Sequence, residues 1–390
     1  MKVVFISNYL TPHQKPFCDA MYKRLGGDFC FIATNAMEEE RVKMGWGLKV
    51  KELSYFMEFD TDAAKANALL MDADFAICGG THHDFIKARL NAGKPTFRYF
   101  ERLFKTGAKR LYNPRTLARY RAQHTAYKNA PVYLLCAGAY VHEDFKRFGA
   151  YPGKMLKWGY FPTFDKTPIS EMLAKKEAGS ILWTGRMLAW KHPEEAVYAA
   201  LLMKGHVENF HLTMIGEGEM RPVIEDLIEE NDLQDTITLL PFMKPGEVRE
   251  YMRKSSIYLM TSDRQEGWGA VVNEAMNSGC AVVASHAAGV TPYLIPDDGI
   301  NGYVYTSGEV GELADCIYDL LTEDDKRENM AERAYESIAS LWNAEEAADR
   351  LLDFCEGLTK GEERFYSGGP MSHAEYMKLG KLFIGQWVEE

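Results

Sequence analysis

The chain has 390 residues, of which 46% are hydrophobic and 26% charged, a composition typical of globular proteins and a length that predicts two domains, each able to bury a core. Its seven cysteines, Cys18, Cys30, Cys78, Cys136, Cys280, Cys316 and Cys355, stand singly in apolar surroundings without the close pairing of a zinc or dithiol redox motif, so reduced core residues are expected. The first ten residues hold too short an apolar run for a signal peptide, and no stretch approaches the roughly 18 apolar residues of a membrane span, which predicts a cytoplasmic protein. The net charge of −11 is unevenly spread: residues 1–160 hold 25 Lys and Arg against 15 Asp and Glu, a balance of +10, which leaves −21 for the rest. The two halves therefore face different partners.

In the first half, KVVFIS (2–7), DFCFIAT (28–34), DFAICGG (74–80), PTFRYF (95–100) and VYLLCAG (132–138) are short apolar runs rich in β-formers. Stretches of helical length separate most of them. Apolar strands joined by helical crossovers make a parallel sheet covered on both faces. DTD (60–62) sits where a helix N-cap belongs, and DAD (72–74) opens a strand.

Arg102 to Lys128 carries eight cations, Arg102, Lys105, Lys109, Arg110, Arg115, Arg119, Arg121 and Lys128, and no acid. Leu103, Phe104, Leu111, Tyr112, Leu117, Tyr120 and Tyr127 are interleaved with them. The pattern reads as a basic amphipathic element that faces an anionic membrane surface. The plainer alternative is a solvated helix with its apolar face in its own core. No recognised motif for nucleic acid accompanies the charge, and none is expected to bind.

A linker rich in proline and polar residues, 158–180, leads to a second set of strands: SILWTGR (180–186), HLTMIGEG (211–218), TITLLPF (236–242), SIYLMTS (256–262) and CAVVASH (280–286). The simplest architecture is α/β, with two Rossmann-like domains facing across a cleft. Boundaries fall at 1–160 and 161–364, with a C-terminal helix over 365–390 packing back on the first domain.

Several strand ends of the second half carry polar or glycine residues where a doubly wound sheet opens onto its ligand. Arg186 closes one strand, and Lys191 precedes Pro193 in what suits the first turn of a helix. Gly216 and Gly218 end the next strand, where bare backbone can approach a nucleotide. After SIYLMTS comes the loop DRQEGWG and a helix expected from Trp268 to Ser278, stopped by Gly279. Its free N–H groups make an anion site, on which Arg186 and Lys191 would converge to hold a diphosphate. Glu266 and Glu274 flank that helix start. Eight residues of helix would set them about 12 Å apart, too far for the roughly 5 Å pair of a retaining glycosidase but suited to two hydroxyl-rich groups on either side of a diphosphate.

The stretch EGWGAVVNE (266–274), followed by AMNSGCAVVASHAAGVTPYLI and DGINGYVY and preceded by TGRMLAWKH, resembles the C-terminal half of the retaining GT-B glycosyltransferases of family 4. The resemblance implies a GT-B fold and a sugar transfer from a nucleotide-sugar donor to a glycan or lipid-linked acceptor, without metal or other cofactor. It implies that Glu266 contacts the donor sugar, Glu274 the ribose, and Arg186 and Lys191 the diphosphate, with the backbone of Gly267, Trp268 and Gly269 near sugar and phosphates. One of His82 and His83, after the DFAICGG strand, resembles the N-domain histidine near the donor sugar; a cap on the helix near Asp84 is the plainer role. DTD and DAD imitate the metal motif of the other glycosyltransferase fold, and their positions favour the structural reading. Two departures stand out: NYLTPHQKPF replaces the usual glycine pair after the first strand, and Tyr293 lies near the place of a common glutamate. A nucleotide-sugar epimerase of the same fold and a non-catalytic sugar-nucleotide binding module are the competing functions.

Overall fold

The computed structural model describes residues 1–375 and divides into two units, Met1–Thr163 with the chain from Trp342 onward, and Phe164–Leu341. The second boundary differs from the expected 364, because the helix Ala344–Thr359 belongs to the first unit. Phe354 on this helix sits against Phe97 and Tyr133, with ring centroids at 6.0 and 5.1 Å. Arg24 grips Asp349 through two nitrogens, at 2.5 and 2.6 Å, and Glu345 at 2.6 Å.

The first unit is built on a seven-stranded parallel sheet of β1 (Val3–Ser7), β2 (Phe29–Ala33), β3 (Phe56–Glu58), β4 (Phe75–Cys78), β5 (Thr96–Phe100), β6 (Val132–Ala137) and β7 (Met155–Trp158), in the order β3-β2-β1-β4-β5-β6-β7. β1, β4 and β6 are buried along their whole length, as apolar runs covered on both faces must be. The edge strands β3 and β7, of three and four residues, were not foreseen, since such short runs carry no period. Asp62 of DTD caps the helix Ala63–Asp72 by accepting from the Lys65 N–H at 2.9 Å, and Asp74 of DAD accepts from the Lys2 N–H at 2.8 Å.

The basic segment forms short turns and a helix, Pro114–Gln123, rather than one long helix. Phe104 joins the buried core, and Leu103, Leu111, Leu117, Tyr120 and Tyr127 pack against it. Arg102 is buried against Asp144 at 3.4 Å. The helix itself buries no residue, and Lys109, Arg110, Arg115, Arg119, Arg121 and Lys128 are exposed beside Tyr112, whose ring is 81% exposed. No helix of the described residues is long and apolar enough to cross a membrane.

The helix expected over 365–390 does not form over 365–375. Gly368, Gly369 with φ 74° and Pro370 break it. The chain instead runs beside β7, where the Lys157 N–H donates to the Ser372 carbonyl at 2.7 Å and the Ala374 N–H to that of Met155 at 2.9 Å. Residues 376–390 lie outside the described residues.

The second unit repeats the plan with six parallel strands, β8 (Glu177–Thr184), β9 (His211–Ile215), β10 (Ile237–Leu240), β11 (Ser255–Met260), β12 (Ala281–Ser285) and β13 (Tyr303–Tyr305), ordered β10-β9-β8-β11-β12-β13. Strand order reverses between β8 and β11, so the loops leaving their carboxyl ends flank the point where doubly wound sheets bind ligands. The linker is partly regular, containing the helix Ile169–Leu173. All seven cysteines are free, five of them buried and Cys30 and Cys316 half-buried.

Candidate functional site

The site is read at the carboxyl ends of β8 and β11. The loop after β8 folds into a short 3-10 turn, Ala189–Lys191, and the helix Pro193–Met203 starts only after His192. Pro193 thus opens the helix, as expected, and Lys191 lies just before it. The loop after β11 carries Glu266, and its helix runs over Ala270–Asn277, two residues later than expected at its start. Gly269, with φ 106° and ψ 61°, turns the chain into that helix and offers no side-chain cap. The Val272 N–H already donates to the Gly269 carbonyl at 3.0 Å, so an anion would meet the N–H groups before it.

The two loops meet through charge. Lys191 Nζ donates to Glu266 Oε2 at 2.5 Å, with side chains 15% and 14% exposed. Ser262 Oγ donates to the same oxygen at 3.3 Å. An ammonium has three donors, so Lys191 keeps capacity for a second acceptor. Backbone contacts fix the frame: the Asp263 N–H donates to the Trp190 carbonyl at 2.9 Å, and Thr261 Oγ1 to that of Lys191 at 2.7 Å.

Glu274 is paired in a way the sequence did not reveal. Arg249, from the helix Pro245–Lys254, donates to its Oε1 at 2.6 Å. Glu274 is 11% exposed, and the Arg249 Nε is buried with no hydrogen-bond partner among the described residues. Burial, with the fields of Glu274 and Glu266 both reaching the ring, pushes the Tyr258 phenol well above its ordinary value. That hydroxyl lies 3.0 Å from Thr184 Oγ1. One buried phenol at the junction of β8 and β11 thus senses both carboxylates.

Other candidates fall differently. Arg186 is exposed and takes no side-chain partner among the described residues. Trp268 is 1% exposed; its indole N–H donates to Asn273 Oδ1 at 2.9 Å and its ring meets Tyr293 edge-on at 6.1 Å. Only its backbone is placed to act. Gly267 is packed against the next loop: a Cβ at Gly289 would lie 2.1 Å from its carbonyl oxygen. Gly216 and Gly218 make room for the chain itself, since a Cβ there would lie 1.8 Å from the Gly185 oxygen and 2.3 Å from that of Met187. These glycines let the β9 loop lie close against the β8 loop.

In the first unit, His82 and His83 follow β4, beside the β1 loop. His82 is exposed, 3.2 Å from Asp84. His83 occupies the N-cap of the helix Asp84–Asn91 without a side-chain cap bond, and its Nδ1 is buried with no partner among the described residues. Desolvation, with Arg98 behind it, lowers its pKa and keeps the ring neutral. Among the described residues no group of three or more His, Cys, Asp or Glu could hold a metal ion.

Residues 165–337 match the family described as Glycosyl transferases group 1. The match covers less than half of the chain and lies within the second unit. The chain is 25% identical over 264 residues to the alpha-D-kanosaminyltransferase of Streptomyces kanamyceticus, covering 65% of this chain and 67% of that protein. It is 30% identical over 183 residues to the D-inositol 3-phosphate glycosyltransferase of Corynebacterium kroppenstedtii, covering 45% of this chain but only 40% of that one. The Anabaena HepE structure, solved in complex with UDP, superposes with a TM-score of 0.68 at 16% identity over 92% of this chain and 100% of that one. The chain has the GT-B fold.

Proposed function

We propose that this protein is a retaining, metal-independent glycosyltransferase of family 4 that moves a sugar from a nucleotide-sugar to a hydroxyl of a lipid-linked glycan at the inner, cytoplasmic face of a membrane. The observation that carries the reading is the Lys191–Glu266 contact at the β8/β11 switch point, with Arg249–Glu274 as a second charge pair on the adjoining helices. Lys191, Arg186 and the uncapped start of the Ala270–Asn277 helix supply positive charge for the leaving diphosphate. Glu266 accepts from the sugar hydroxyls and Glu274 from the ribose. The leaving diphosphate oxygen takes the acceptor's proton on the departing face, which preserves the anomeric configuration. The acceptor is assigned to the first unit, whose exposed cations from Lys109 to Lys128 supply attraction to anionic lipid.

A thermal-shift screen of nucleotide-sugars, followed by hydrolysis of the hits in chelator, tests the donor half. A stabilising nucleotide-sugar cleaved to its nucleoside diphosphate and the α-sugar from an α-donor is the expected result. Release of the inverted sugar would overturn retention, loss of turnover in chelator would overturn metal independence, and interconversion of the donor alone would point to an epimerase.

A further inference from the structure

His192 adopts φ 46° and ψ 51°, a left-handed conformation that a side chain bearing Cβ enters at a cost. Glycine would occupy this position freely, between the turn that carries Lys191 and the helix that begins at Pro193. What the imidazole meets there accounts for the choice. Its Nδ1 lies 2.9 Å from Glu194 Oε1 and 3.9 Å from Glu195 Oε1, and its Nε2 lies 3.6 Å from Asp263 Oδ2. Glu194 and Glu195 belong to the helix after Lys191, whereas Asp263 belongs to the loop that carries Glu266. Glu195 is itself held in place, accepting from the Tyr305 hydroxyl at 2.6 Å and the Gly308 N–H at 3.1 Å.

We propose that His192 is a positioning residue of the donor site: as an imidazolium between Glu194 and Asp263, it ties the Lys191 turn to the Glu266 loop and so sets the pair that receives the donor's diphosphate and sugar. The inference rests on the donor reading given above. Backbone bonds already join the loops, and a side-chain bridge one residue from Lys191 adds a tie next to the functional ammonium itself. Asp263 and Glu194 raise the His192 pKa to about 10 against the opposing effect of burial. The bridge is therefore fully charged at neutral pH. It is lost as pH rises through about 10.

The test compares the wild-type protein with His192→Gly and Asp263→Asn for binding of a nucleoside diphosphate by calorimetry from pH 6.5 to 10.5, with donor KM and kcat at pH 7. His192→Gly relieves the left-handed strain, so the fold should persist, as circular dichroism would check. Affinity should fall roughly tenfold at pH 7, the scale on which small displacements of a binding group are felt. The ratio of wild-type to His192→Gly affinity should shrink toward one above pH 10. Taking the ratio cancels any pH effect that both proteins share. Asp263→Asn should behave like His192→Gly at pH 7, and donor KM should move more than kcat. Equal affinities for wild type and His192→Gly across the range would overturn the bridge while leaving the donor site intact. A wild-type protein that binds no nucleoside diphosphate would overturn the donor reading and the bridge together.

Discussion

At the scale of single residues, Lys191 and Glu266 are bound to one another yet are assigned different halves of the donor, and the assignments can be separated. Lys191→Ala removes a charge-assisted donor to the diphosphate, about 1.5 to 3 kcal/mol, so nucleoside diphosphate affinity should fall roughly 10- to 150-fold. Glu266→Gln keeps the shape and the partner Ser262. It should leave that affinity within about threefold while cutting turnover by at least about tenfold, because the sugar contact is made only with the intact donor. Calorimetry beside steady-state rates checks the split, and equal losses in both quantities for both variants would refute it. Chemical type and order made these two residues visible in the sequence, and Glu274 with them. Arg249 was not visible. It lies in PGEVREYMRK, where nothing separates it from Arg253, which pairs instead with Asp165 and Glu250. His192 was hidden for a different reason: its importance lies in a backbone angle, and residue type carries no signal for an angle that breaks the rule for that type.

At the scale of elements, the strands could be read because a parallel sheet covered on both faces demands continuous apolar runs, and each unit's central strands obey. β3, β7 and β13 escaped, being edge strands of three or four residues. The helix after β11 was placed two residues early because Trp268 suits a helix by propensity, while Gly269 at φ 106° delays the start. At Gly216 and Gly218 approach by the chain's own carbonyls, which looks in sequence the same as room for a ligand, was not foreseen. The structure makes that distinction measurable. Gly216→Ala puts a Cβ 1.8 Å from the Gly185 oxygen and should destabilise by about 3 kcal/mol or more, lowering Tm by roughly 6 °C or more. Gly311 in the helix Val310–Thr322 has open space around its Cβ position, so Gly311→Ala should stabilise by about 0.5 to 1 kcal/mol. Calorimetric melts of the two variants check both signs; a Gly216→Ala melt equal to wild type would mean that the β9 loop does not need to lie so close.

At the scale of the whole molecule, charge is segregated along the chain, and Arg115, Arg119 and Arg121 stand exposed on a helix with no buried residue, with Lys109, Arg110 and Lys128 exposed in the turns that flank it. Each basic residue near an anionic bilayer contributes on the order of 1 kcal/mol, screened within about 8 Å at physiological salt. The protein should therefore cosediment with vesicles containing anionic lipid and not with neutral ones, and high salt should release it. Changing Arg115, Arg119 and Arg121 together to glutamate should abolish the binding and leave nucleotide affinity intact, since those side chains touch no core. Equal binding to both kinds of vesicle, or to neither, would assign the segment to solvent and the acceptor to the aqueous phase. Among the described residues the chain also crosses between its units twice, leaving the first at Thr163 and returning at Trp342. Residues 164–341 are thus an uninterrupted cassette inserted into a host whose two pieces are held together by Arg24, Glu345, Asp349 and the Phe354 ring. Recombination that exchanges one cassette for another needs two junctions but cuts no strand of either sheet, so under the proposed function a new donor specificity would be inherited as a single contiguous segment while the host kept its acceptor.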